Sequence, residues 1–183
     1  MEEMSAILSH LPIEILTLDS FPEIGDIPET GETLKENAFI KAEAVHKITG
    51  FPALADDTGL EVDALEGAPG VFSARYAGED ATFFDNCTKL IKELVDIPSS
   101  KRTARFRTVI SFVKNEKKLW TEGIVEGIIL GHMKGEGGFG YDSIFYYPKL
   151  KKTFAELKKD EKNNISHRGQ ALRKFQEILE NRI

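Results

Sequence analysis

Apolar positions along this chain switch repeatedly between helical and strand-like spacing, and the switches outline its elements. Ile7, Leu8 and Leu11 keep a helical spacing that Pro12 ends, so a short helix is expected over 5–11. Ile13 to Leu18 alternates and predicts a strand, while the proline- and glycine-bearing run from Asp19 to Gly31 predicts a long loop. Thr33 followed by Glu36 has capping-box spacing. The helix it opens buries Leu34, Ala38, Ala42 and Val45 and stops at Gly50. Phe51 to Ala55 reads as a short strand broken by a turn at Asp56-Asp57-Thr58-Gly59, and Leu60 to Leu65 reads as the next. Ala68-Pro69-Gly70 punctuates a loop, and Thr82 to Val95 is amphipathic.

Two long β-type stretches follow, Arg102 to Val113 and Lys118 to Leu130, around the polar turn Lys114-Asn115-Glu116-Lys117; they predict a hairpin. A glycine-rich loop spans Gly135 to Gly140, and Ser143 to Tyr147 predicts a strand. A last helix is expected from near Ser166, burying Ala171, Leu172, Phe175, Ile178 and Leu179. Helices and strands interleave without a repeat or a low-complexity linker, which predicts an α/β fold with a mixed sheet. The length, 183 residues, suits a single domain over 1–183, or one domain with two lobes.

Composition narrows the functional classes. With 41% hydrophobic and 30% charged residues the chain is suited to a packed core, not to disorder. No apolar run approaches the roughly 20 residues of a membrane span, so no membrane association is expected. The opening Met1-Glu2-Glu3-Met4 is acidic where a secretory signal is basic. Cys87 is alone, which excludes an intrachain disulfide and a cysteine metal site; the pattern fits a reducing, cytoplasmic setting. A net charge of −6 argues against a nucleic-acid partner. Between Lys149 and Lys174, however, nine Lys/Arg face three acids, so a local basic stretch sits on an otherwise acidic chain. Such a stretch is either a solvated face or an attractor for a small polyanion.

Four groups of residues could carry chemistry. Asp56-Asp57 ends an apolar run, and successive strand side chains point to opposite faces. One acid can therefore face a ligand while the other anchors the loop through backbone amides. Carboxylate oxygens at such a place suit Mg²⁺ and, through it, phosphate. The loop Gly135-Glu136-Gly137-Gly138-Phe139-Gly140-Tyr141-Asp142 lets the backbone approach a ligand closely, and Phe139 or Tyr141 offers a flat face to a base. It fits neither a P-loop nor a dinucleotide fingerprint. Ser166 is a good N-cap, which puts His167 and Arg168 in the first helical turn, where positive charge opposes the helix dipole unless an anion or a carbonyl oxygen is received there. Asn37 and Lys41, four apart on one helix, can reach a common target.

Together and in this order, these segments resemble the inosine triphosphate pyrophosphatase family. The resemblance rests on Glu36-Asn37-Ala38 with Lys41-Ala42, the run from Ala55 to Leu65, Gly67 to Tyr76, Gly137 to Asp142, Lys152 to Leu157 and Glu161 to Arg168. It covers nearly the whole chain. Maf-like nucleotide pyrophosphatases fit less well, because the Ser166-His167-Arg168 helix start matches the inosine family.

The resemblance implies a two-lobed, mixed-sheet α/β fold with a nucleotide in a central cleft, and a homodimer. It implies hydrolysis of ITP, dITP or XTP to the monophosphate and pyrophosphate, clearing non-standard purines from the nucleotide pool, with Mg²⁺ as cofactor. By the same likeness Asp57 is the catalytic acid, assigned to the metal and to activating water, with Asp56 in support and Glu29 as a second metal ligand. Lys41 and Thr58 lie toward the phosphates. Phe139, Gly140, Tyr141 and Asp142 form the base pocket, with Phe139 stacking on the purine. Lys162, His167 and Arg168 contact substrate, the last two near the purine keto oxygen. Family members begin with a strand and a phosphate-binding loop of the type Ser/Thr-x-Asn-x-x-Lys. Here Met1 to Leu8 is similar to the helix after that loop, so the strand and loop are expected to be missing and triphosphate to be held poorly. The alternative function is then a nucleotide-binding or dimerisation module with little turnover.

Overall fold

A computed structural model describes Met4, Leu8 and residues 12–180. Helices α1 (Leu34–Thr49), α2 (Phe83–Glu93), α3 (Lys159–Ile165) and α4 (His167–Glu180) accompany six strands. The strands are β1 (Ala53–Val62), β2 (Pro69–Gly70), β3 (Thr103–Lys114), β4 (Lys117–Ile129), β5 (Phe145–Tyr147) and β6 (Lys152–Thr153). They form one sheet in the order β2-β1-β3-β4-β5-β6. β2 pairs antiparallel with β1 through Leu60↔Gly70, and β5 with β4 through Ile128↔Tyr146. β6 closes the far edge antiparallel to β5 through Tyr146↔Thr153. The chain divides into two compact units: Met1–Asp57 with Thr108–Gly123 and Ser166–Ile183, and Thr58–Arg107 with Ile124–Ile165. The divisions fall inside β1, β3 and β4, so one strand can supply functional residues to both units.

In the first unit, α1 starts with the expected capping box: Glu36 N donates to Thr33 Oγ1 at 3.1 Å and Thr33 N to Glu36 Oε2 at 3.1 Å. It ends at Gly50 in the left-handed region, whose N–H reaches His46 O at 2.9 Å. Leu34, Ala38 and Ala42 are buried as expected, with Val45 only half-buried. Ser111 on β3 fixes the helix by donating to Ala38 O at 2.6 Å. Met4, Leu8, Ile110, Ala171, Leu172 and Phe175 form this unit's main apolar cluster. Each fully buried large aliphatic or aromatic side chain there contributes about 1.5–3 kcal/mol.

In the second unit, α2 is capped by Thr82 and Asp85 and buries Cys87 and Leu90. Phe145 packs on Phe106 and Phe154 at centroid distances of 4.5 and 4.9 Å, and Leu60, Val62, Leu94 and Ile144 surround them. Among the described residues no helix is long and apolar enough to cross a membrane.

The hairpin, α2 and the start of α4 form as the pattern predicts; three details differ. Ile13 to Leu18 is not a strand: Ile13, Leu16 and Leu18 are 44%, 48% and 53% exposed, and the segment joins no strand of the sheet. Alternation makes a strand only where a neighbour takes the backbone N–H and C=O groups. The turn expected at Asp56-Asp57-Thr58-Gly59 is absent. β1 runs straight through it, because the backbone stays in the ladder and cationic side chains receive both carboxylates. The short helix α3 is the third, polar except for Ile165, which packs on the core of the second unit, with Lys158 N donating to Glu161 Oε2 at 2.9 Å near its start. The helix expected over 5–11 lies outside the described residues except for Leu8, which is helical and buried.

Candidate functional site

In the first unit, two carboxylates meet around Lys41. Its Nζ donates to Glu29 Oε1 at 2.7 Å and to Asp57 Oδ1 at 3.0 Å. Glu29 comes from the loop before α1, Lys41 from the helix and Asp57 from β1, so tertiary packing assembles the group from positions far apart in sequence. Burial works against the Lys41 ammonium, but the two carboxylates outweigh it and hold the pKa above the ordinary lysine value. Asp57 is 8% exposed, and burial pushes its carboxyl above the usual range despite the attraction of Lys41. Its second oxygen, Oδ2, is buried and has no hydrogen-bond partner. An ionised oxygen left in this way is costly unless a cation or a proton donor meets it.

Asp56 turns to a different partner. Arg168 Nη2 and Nε donate to its Oδ2 at 2.8 and 3.1 Å, so a guanidinium, not backbone amides, receives this acid. The pair also accounts for a cation in the first turn of α4: Asp56 supplies the negative charge that offsets the unfavourable dipole there. Ser166 caps this helix, accepting from Gly169 N at 3.0 Å. His167 is 5% exposed, which makes this helix start an interior feature.

Asn37 is a residue whose weight the sequence understated. Polar side chains four apart on a helix are common on surfaces, yet Asn37 is 0% exposed. Its Oδ1 accepts from Gly31 N at 2.7 Å. A Cβ on Gly31 would stand 2.8 Å from that oxygen and 2.6 Å from Glu36 Cβ, so the approach requires glycine.

The second unit holds the glycine-rich loop. Asp142, 3% exposed, accepts Phe139 N–H at 2.8 Å and also the ammonium of Lys162. Gly138 lies in the left-handed region, at φ +76°, and a Cβ there would sit 2.1 Å from Asp142 Oδ2. The carboxylate therefore needs a glycine beside it. The loop presents the Phe139 ring 53% exposed, with Lys162 Nζ 4.5 Å from its centroid and the exposed Phe83 ring 6.4 Å away. Tyr141 does not offer its face: it is 4% exposed within the core, and its hydroxyl donates to Ser73 O at 2.9 Å. Cys87 supports the loop from beneath, its thiol 3.4 Å from Gly140 O. Thr58, half-buried on β1, is the first residue of this unit. Phe83 beside Phe139 was missed from the chain pattern; two adjacent phenylalanines at an otherwise polar helix start were the available signal.

Two sets thus emerge: Glu29, Asn37, Lys41, Asp57 with Asp56, His167 and Arg168 in the first unit, and Phe139, Asp142 and Lys162 in the second. Among the described residues no three His, Cys, Asp or Glu side chains converge as a metal cluster. The two carboxylates around Lys41, with one buried oxygen unpartnered, form a compact anionic centre.

Comparison with known proteins agrees in extent with this geometry. The profile of the Ham1 family matches residues 1–178. A protein named dITP/XTP pyrophosphatase from Desulforamulus reducens is 49% identical over 97% of this chain and 89% of its own length. A HAM1 protein structure from Coxiella burnetii superposes with a TM-score of 0.93 at 45% identity, covering 98% of this chain and 92% of that one. The Ham1 protein of Staphylococcus aureus does so with 0.92 at 40% identity, covering 100% and 93%.

Proposed function

This chain belongs to the Ham1 family, and we propose that it is a nucleoside triphosphate pyrophosphatase. Its substrates are dITP, ITP and XTP, cleaved to the monophosphate and pyrophosphate. The observation that carries the reading is the buried, unpartnered Oδ2 of Asp57 beside Glu29 and Lys41. The pyrophosphatase named above, similar over 97% of this chain, supports turnover over bare nucleotide binding. The homodimer implied by the family likeness belongs to the same proposal.

The donor set fits a hard divalent cation: two carboxylates, that of Asp57 with a buried oxygen that has no partner within the fold. Glu29 and Asp57 would hold Mg²⁺, which when bound supplies positive charge to the phosphate oxygens. Hydrolysis requires water to attack the α-phosphorus while its bond to the bridging oxygen breaks and pyrophosphate leaves. Asp57 is the general base, its buried Oδ2 lacking a partner within the fold that would keep it from a water. Asp56, held by Arg168, is the less available of the two acids. Lys41 and Thr58 bind phosphate oxygens, and Lys41 offsets charge growing on the leaving group.

The exposed face of Phe139 stacks on the purine, and Lys162 beside it is a hydrogen-bond donor. His167 and Arg168 donate to the 6-keto oxygen, where adenine would present an amino group. Leaving a polar edge unpaired discriminates far better than size does.

Chromatography of products from dITP and Mg²⁺ tests the reading: dIMP and pyrophosphate should appear in equal amounts, and EDTA should stop the reaction until Mg²⁺ is restored. Release of orthophosphate, or turnover of dATP at the same rate, would refute it. Phe139→Ala should raise KM for dITP roughly 5- to 150-fold, since stacking on an aromatic ring is worth about 1–3 kcal/mol per base. Because the ring is half exposed, the melting midpoint should move by no more than about 2 °C. A variant with unchanged KM would remove Phe139 from the base site.

A further inference from the structure

We propose that Asn37 is a positioning residue that sets the spacing of the Glu29–Asp57 carboxylate pair, an inference that rests on the metal and general-base reading above. Gly31 N is a donor, so the Asn37 atom facing it at 2.7 Å must be the oxygen. The amide NH₂ therefore points the other way. There it is buried without a hydrogen-bond partner, in a side chain with no solvent exposure. Its neighbour is Asp57: the amide stabilises that carboxylate's charge, although the two do not reach hydrogen-bond geometry.

One side chain, a helical turn from the Lys41 that bonds both acids, thus ties down the loop that carries Glu29. Its oxygen fixes Gly31, two residues from Glu29, and its NH₂ faces the strand residue Asp57. Lys41 lies one helical turn further along α1 and bridges the same two acids by charge. The two side chains divide the work: Lys41 draws the carboxylates together, and Asn37 sets how far apart the loop and the strand stand. A buried amide with an unused donor is an expensive ornament for packing alone, since an apolar residue would fill the space without it. At a cation site, the separation of two ligands decides affinity.

The test uses the full chain and Mn²⁺ as a spectroscopic probe of binding, with Asn37→Ala and Gly31→Ala as variants. Gly31→Ala leaves the Asn37 side chain in place but sets a methyl 2.8 Å from its oxygen and 2.6 Å from Glu36 Cβ, so the loop must back away from the helix. Both variants should bind Mn²⁺ at least tenfold more weakly by electron spin resonance. At saturating metal, kcat for dITP should fall at least tenfold with KM changed less than threefold. A purely structural role would lower the melting midpoint and leave Mn²⁺ affinity intact in the folded fraction. If Asn37→Ala does not fold, Gly31→Ala decides. A folded variant that binds Mn²⁺ and turns over dITP within twofold of the wild type overturns the proposal. A wild-type chain that binds no Mn²⁺ overturns the underlying reading itself, before any variant is compared.

Discussion

Asp57→Asn should reduce kcat for dITP by about 10³-fold, some 4 kcal/mol of transition-state stabilisation, while the fold stays as stable as the wild type or becomes more so. The two halves of this expectation have one cause. An ionised carboxylate at 8% exposure with one oxygen unpartnered is kept for chemistry at a cost to folding. Its pKa is raised in the fold, so the folded chain holds the proton more tightly than the unfolded chain does. The contribution of Asp57 to stability is then most favourable below the ordinary carboxyl range and declines as pH rises through its folded value. Asparagine abolishes that loss at neutral pH. Its amide oxygen can still accept from Lys41, which keeps Glu29 at 2.7 Å. Melting curves in metal-free buffer should show the variant equal or higher at pH 7, with the difference closing in acid. A rate within tenfold of wild type would remove Asp57 from catalysis. A lower midpoint with the rate intact would make it a structural anchor.

Much of this centre was legible in the chain because its residues have strong local signatures. Thr33 and Glu36 announce α1, and the alternation of 102–113 and 118–130 announces the hairpin whose strands flank the site. Ser166 likewise announces the start of α4. What local pattern could not convey is which polar residues go inside. Asn37 at 0% exposure and His167 at 5% are indistinguishable in sequence from surface residues, since only tertiary partners make their burial tolerable. The same limit explains β1. Asp56-Asp57-Thr58-Gly59 has turn chemistry, and only Lys41 and Arg168, from elements 16 and 112 positions away, let a strand pass through it. Tyr141 errs in the opposite sense, since an aromatic in a glycine-rich loop suggests a ligand face when the ring is core. Local rules fail in this way where function sets a residue against its own propensity.

Asp142→Ala should have the largest effect on stability, and it separates the architecture of the base loop from its chemistry. The Asp142 side chain is 4% exposed and that of Lys162 15%, so the pair is shielded from the solvent screening that weakens surface bridges. Removing the carboxylate strips Lys162 of this anion and Phe139 N–H of the acceptor at 2.8 Å. Breaking one side of a buried pair costs about 3–5 kcal/mol, and for a chain of this size each kcal/mol moves the melting midpoint by about 2–4 °C. A fall of roughly 6–20 °C follows. Because Phe139 is also released, KM for dITP should rise alongside. The double variant Asp142→Leu with Lys162→Met removes both charges and should recover most of the lost stability, since no uncompensated ion remains. It should not recover KM, for neither the lysine donor nor the loop anchor returns. A single variant melting within about 2 °C of wild type would mean that the bridge is solvated. A double variant that restored KM would mean that neither Lys162 nor the Asp142 anchor contributes to recognising the base.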